Sequence, residues 1–166
     1  MENWIIPNEE LDKIGRGLQR LDKCPKEGDQ NIQNVRLSRL KVNIPKEIEQ
    51  DLDKGFSDFI VHETEGTTTI NVLEFPSEEE AEAPIEGFKI FIQNNTEKYD
   101  TNEVPPNIGD DSAFFSSKKE DSPEGSIWHQ LYVKKGSKLI IVSEIKKGNV
   151  EPRNIELAEL ILERIE

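Results

Sequence analysis

Within "NIGDDSAFF", residues 107–115, two adjacent carboxylates, Asp110 and Asp111, follow Gly109 and precede an apolar run. Paired acids on a glycine turn are hard oxygen donors of the kind that grip a divalent cation. Such a cation takes about six to eight oxygens, so the rest would have to converge from elsewhere in the fold. The alternating acids and closing glutamate of an EF-hand loop are missing. If Ser112 opens a strand, successive side chains point to opposite faces, and only one of the two acids can look into a given pocket. The stretch reads first as a turn feeding a strand, with Asp110 and Asp111 as the metal-ligand candidates of the chain.

His62 and His129 are its only imidazoles. Were their strands neighbours, the two rings and a carboxylate would make a metal or acid/base site. Taken singly, each reads as a strand residue facing solvent or a partner. Trp128 and His129 are consecutive, so they face opposite sides of a strand, as do Phe114 and Phe115. If both sheet faces are covered, both phenylalanines are buried. If one face is open, Phe114, Trp128 and His129 become candidates for lining a ligand or partner groove. The serine-nucleophile spelling G-x-S-x-G is absent, as are the phosphate-cradling glycine motifs. No cofactor is implied.

The 166 residues suffice for one domain with a core. They carry 34% hydrophobic and 33% charged residues, and a formal charge of -13. That charge argues against nucleic acid, which needs a Lys/Arg-rich face. It suits solubility or a basic partner. The single cysteine, Cys24, excludes an internal disulfide and a cysteine metal cage. No stretch approaches the roughly 18 apolar residues of a membrane helix, so no membrane span is expected. The first residues, "MENWIIPNEELDK", lack a basic start and a long apolar run.

The elements that must position these residues follow from periodicity. Residues 1–34 read as an N-terminal arm packing on the domain, with Leu11, Ile14, Leu18 and Leu21 at near-helical spacing. Residues 35–166 read as a single domain. "VRLSRLKVNI" alternates as a strand, and Pro45 opens a short helix closed by Gly55. "FSDFIVHE" and "TTTINVLEF" form a hairpin. Ser77 and Glu80 spell a capping box for a helix whose buried stripe is Ala81, Ile85, Phe88 and Ile92. Pro84 and Gly87 predict a kink or break in it. "YDTNEVPPNIGDD" reads as loop. Strands "SAFFSS", "SIWHQLYVKK" and "KLIIVSEI" follow, the last two joined by a glycine turn in "KKGSK". The closing helix takes Asn149 as cap and Pro152 in its first turn, with Ile155, Ala158, Ile161, Leu162 and Ile165 as its apolar face. Hairpins joined by helices mean an α+β fold, a mostly antiparallel sheet with helices packed on its faces.

The succession "FIVHET…TTTINVLEFPSEEEAEAPIEGF", "VPPNIGDDSAFF", "LYVKKGSKLIIVSEI" and "NIELAELILERI" resembles secreted or lipoprotein sensor-type domains. These are typified by the extracellular part of mycobacterial Ser/Thr kinases. The matching motifs are the S-E-E-x-A helix start at Ser77–Ala81, the I-G-D-x-A turn at Ile108–Ala113 with one extra Asp, and the hairpin from Val133 to Val142. The resemblance covers residues 35–166 and implies a Mog1/PsbP-like α/β/α sandwich. It also implies a non-enzymatic module that binds a ligand or partner, and it carries over no catalytic residue.

The expected function is therefore a sensor-like binding module for an unknown protein or small-molecule partner. An extracytoplasmic mature domain with its leader removed is favoured over a cytoplasmic one, and any lipid anchor would lie upstream. A cytoplasmic acidic adaptor or inhibitor is the alternative. A metal-dependent enzyme using Asp110, Asp111 and a histidine ranks third.

Overall fold

The computed structural model describes residues 9–10, 18–20, 55–62, 66–118, 125–147 and 151–165. The expected strand at 35–44, the helix after Pro45 and the cap at Asn149 lie outside them. The described residues form strands β1 (Leu18–Arg20), β2 (Gly55–His62), β3 (Gly66–Glu74), β4 (Tyr99–Thr101), β5 (Asp111–Ser117), β6 (Ser126–Lys135) and β7 (Lys138–Lys147). Helices α1 (Glu78–Gln93) and α2 (Asn154–Ile165) complete them. The sheet order is β1-β2-β3-β7-β6-β5-β4, and every neighbouring pair is antiparallel.

Period-two alternation sorts the central strands onto two covered faces. Leu73, Phe115, Tyr132, Leu139 and Ile141 pack with Ala81, Ile85, Phe88 and Ile92 of α1. Ile70, Val72, Phe114, Leu131, Val133, Ile140 and Val142 pack with Leu157, Ala158, Ile161 and Ile165 of α2. Phe114 and Phe115 are accordingly buried on opposite faces, 6% and 1% exposed. The fold is α+β, one antiparallel sheet with a helix on each side. Phe88 anchors the α1 side: its ring lies 4.7 Å from Phe115 and 4.0 Å from Tyr132. Each such aromatic contributes on the order of 2 kcal/mol of burial.

The helix starts and stops answer to local chemistry. Ser77 Oγ accepts from the Glu80 N–H at 3.2 Å, and Glu78, Glu79 and Glu80 sit at the positive end of the dipole. The expected break at Pro84 does not occur: α1 runs uninterrupted from Glu78 to Gln93. Proline removes one hydrogen bond, but Pro84 is itself buried in the stripe that docks on the sheet. Tertiary packing holds the helix where local preference would end it. α2 begins at Asn154, so Pro152 precedes the helix instead of lying in its first turn. Two short strands fall where none was expected. Tyr99–Thr101 pairs with β5 at one sheet edge, and Leu18–Arg20 pairs with β2 at the other, despite the helical spacing around Leu18. An ion pair between Arg164 and Glu10 ties the beginning of the chain to α2.

Candidate functional site

The turn at 107–115 is built as a staple. Gly109 has φ 69°, and a Cβ there would lie 2.4 Å from Val133 Cγ1 and 2.5 Å from the Lys134 carbonyl oxygen. Only glycine meets both demands. The chain can therefore pass close against β6, where the Asp110 N–H donates to the Lys134 carbonyl at 2.8 Å. Asp110 then turns outward to the β6–β7 hairpin, accepting from the Gly136 N–H at 2.7 Å and facing Lys135 Nζ at 3.5 Å. The Gly136 bond is the largest influence on the Asp110 carboxyl; burial opposes it, and with the Lys135 charge added the carboxyl is held below its usual value. Asp111 turns the other way. Its carboxylate takes Lys89 Nζ of α1 at 2.7 and 3.0 Å and the Ser112 N–H at 2.8 Å. Burial pushes Lys89 down, but the bonds to Asp111 and Glu86 outweigh it and leave the ammonium raised. The two acids thus diverge, one to a hairpin and one to a helix. Among the described residues no group of three His, Cys, Asp or Glu is arranged to hold a metal ion.

His62 and His129 are not brought together. β2 and β6 are separated by β3 and β7, three strand spacings or about 14 Å. His129 does not face solvent, being 8% exposed on the α2 side. It sits in a transverse polar row set by cross-strand register: Thr68 opposite Glu144, Glu144 opposite His129, His129 opposite Ser116. All four are buried. Glu144 accepts from Thr68 Oγ1 at 3.1 Å and from the Arg153 N–H at 2.5 Å, and pairs with Lys146 Nζ at 3.2 Å. His129 Nδ1 lies 2.6 Å from Ser116 Oγ, which accepts from Asn102 Nδ2 at 2.6 Å. Asn154, at the start of α2, donates to the Val142 carbonyl at 2.6 Å and weakly to that of His129 at 3.4 Å. Burial, then the Lys146 charge, depresses the His129 pKa, with Glu151 opposing.

A cleft of about 270 Å³ opens where the sheet edge is left incomplete. β4 matches β5 only from Tyr99 to Thr101, and the ladder's last contact is the Asn102 N–H on the Phe114 carbonyl. Two prolines, Pro105 and Pro106, follow, and neither can donate to a ladder. The chain diverges, and the edge of β5 from Ser112 to Ala113 faces space. The walls are Lys89, Ile92 and Gln93 of α1, Thr101, Asn102 and Val104 beyond β4, and Ser112–Phe115 of β5. The interior is mostly apolar. Polar groups sit at Asn102, Thr101 and Gln93, with the Lys89–Asp111 pair beside them. Of the groove candidates, Phe114 lines this cleft. Trp128 instead packs edge-on against Phe115 and Tyr99 at 5.9 and 6.4 Å, and His129 lies behind Ser116. Asn102 was missed by sequence reasoning; the only signal near it was the double proline that ends the strand.

Among the described residues no helix is long and apolar enough to cross a membrane. No model of a protein family matches the chain, and no curated protein matches it. Its fold is similar to the crystal structure of the extracellular domain of PknH from Mycobacterium tuberculosis. The TM-score is 0.62 with 10% identity, over 98% of this chain and 93% of that one. At that identity the likeness is one of fold, and it joins this antiparallel sheet and its two helices to the architecture of a kinase's extracellular domain.

Proposed function

We propose that the chain is a non-enzymatic, sensor-like module that binds a small amphipathic ligand in the cleft between α1 and the β4–β5 edge. The observation that carries this reading is the cleft itself: a mostly apolar recess with a few fixed polar groups, open where β4 stops. The fold likeness to an extracellular kinase domain supports a sensing role, and with it a position outside the cytoplasmic membrane. The Mog1/PsbP-like assignment belongs to the same reading. The divergence of Asp110 and Asp111, each already engaged by a cation, favours binding over metal chemistry.

A fragment screen on ¹⁵N-labelled protein tests the site. Fragments of about 8–15 heavy atoms should shift the amides of Gln93, Asn102, Val104 and Ser112–Phe115 together. Shifts that cluster elsewhere, for instance around Trp128 and Ile145, would overturn the assignment.

A further inference from the structure

Asn102 belongs to two structures at once. It walls the cleft, and its side-chain amide is anchored behind the cleft by Ser116, which is in turn bonded to His129. These three groups form a short hydrogen-bonded chain in which direction matters. Ser116 has one proton. Its Oγ accepts from Asn102 Nδ2, and its only other partner among the described residues is His129 Nδ1. With the serine proton assigned to Nδ1, its one acceptor among these three groups, the imidazole carries its own proton on Nε2. In this order Asn102 has spent an N–H on Ser116, and its Oδ1, with no hydrogen bond among the described residues, is held as an acceptor.

Resting on the cleft reading above, we propose that the site selects ligands that donate a hydrogen bond, with Asn102 as the specificity-determining residue and Ser116 and His129 as the positioning residues that fix its polarity. Hydroxyl, amide and ammonium groups meet this demand; ethers and tertiary amides do not. A buried acceptor left unmet by its ligand is costly, which is what makes one amide oxygen discriminating.

The same chain makes the preference reversible. When His129 takes a second proton, Nδ1–H becomes a donor to Ser116 Oγ. The serine proton is then displaced from Nδ1 and is free to turn toward Asn102, where the amide turns so that Oδ1 accepts it. Asn102 then presents its NH₂ to the cleft, and acceptor ligands are favoured. The charged and titratable groups around the ring are Glu144 and Lys146 of β7 and Glu151 and Arg153 ahead of α2. Burial and the Lys146 charge both favour the neutral ring, so the acceptor state holds at neutral pH and the inversion falls below the ordinary imidazole value of 6.5.

Phenol and anisole form a matched probe pair, one a donor and the other only an acceptor, both small enough for the cleft. At pH 7.5, phenol should shift the amides of Val104 and Ala113 with an affinity about fivefold above that of anisole, as one net hydrogen bond dictates. Asn102→Ala should bring the ratio to unity. Ser116→Ala, which leaves Asn102 in place but unanchored, should reduce it. The ¹⁵N shifts of the His129 ring should report the Nε2–H tautomer at neutral pH, and the phenol preference should fall as the ring titrates. If neither probe moves the cleft amides, the cleft reading falls and this inference with it. If both bind equally, or the ring carries its proton on Nδ1 at neutral pH, the cleft stands and the selectivity is refuted.

Discussion

Replacing Gly109 by alanine puts a number on the staple beneath the cleft. An L-residue at φ 69° costs about 1–2 kcal/mol in backbone strain. The new Cβ also meets two atoms. Val133 Cγ1 at 2.4 Å can retreat by rotating its side chain, but the Lys134 carbonyl oxygen at 2.5 Å is backbone of a central strand. That oxygen also accepts from Asp110. Separating them costs about 1–3 kcal/mol of overpacking or a lost hydrogen bond. The total is about 2–5 kcal/mol. Gly125 supplies the control, since its φ of 70° is nearly the same and, among the described residues, nothing lies within 4 Å of its Cβ position. Gly125→Ala therefore carries the backbone term alone, about 1–2 kcal/mol. In urea, with a slope of about 2 kcal/mol/M, Gly109→Ala should lower the midpoint by about 1–2.5 M and Gly125→Ala by about 0.5–1 M. Equal shifts for the two variants would refute the steric argument.

The buried Glu144–Lys146 pair gives a second test: Glu144→Ala alone should cost about 3–5 kcal/mol in chemical denaturation because it removes the carboxylate paired with a buried ammonium, whereas Glu144→Leu with Lys146→Met should cost less, about 1–3 kcal/mol, the bonds from Thr68 and the Arg153 N–H going with the carboxylate. Asp111→Asn should lower thermal stability by no more than about 1 kcal/mol, its partner being a third exposed. Because Lys89 is raised in the folded state, the wild type should lose that increment as pH rises above 10.5, and the variant should not; parallel melting curves from pH 9 to pH 11 check the sign. Asp110 is the converse case. Its depressed carboxyl contributes above the ordinary value of 3.8 and ceases to below it, so the Gly136 amide shift should titrate in acid and stop doing so in Asp110→Asn.

What could be read from the chain was whatever local spacing encodes. Alternation in "SIWHQLYVKK" and "KLIIVSEI" places β6 and β7, and glycine at 136 places their turn at φ 56°. Ser77 with Glu80 marks the start of α1, and the two phenylalanines of "AFF" foretell two covered faces. Pro84 misled because a helix docked by Ala81, Ile85, Phe88 and Ile92 tolerates one missing bond. The three-residue β4 carries too few residues to show any period. The polar row was out of reach for a different reason. Thr68, Glu144, His129 and Ser116 meet only because four strands pair in one register, and register between residues 76 apart leaves no local trace. Asn102 is hidden in the same way, its role being defined by what lies behind it.

The pairing of β3 with β7 also governs how the molecule comes to be folded. β2–β3 and β6–β7 are hairpins that can close early, each from neighbouring stretches of chain. Between them runs the seam that unites the sheet, and Thr68 must find Glu144 across an intervening loop that holds α1, β4, β5 and β6. Bringing such distant segments together pays loop entropy before any contact rewards it, which places this fold among the slower single domains, in milliseconds to seconds. On a ribosome, β3 emerges with its strand edge unmatched and waits for roughly seventy more residues at about 5–20 per second before its partner exists. For several seconds that edge, rich in threonine and apolar residues, is the part of the nascent chain most open to pairing with a stranger.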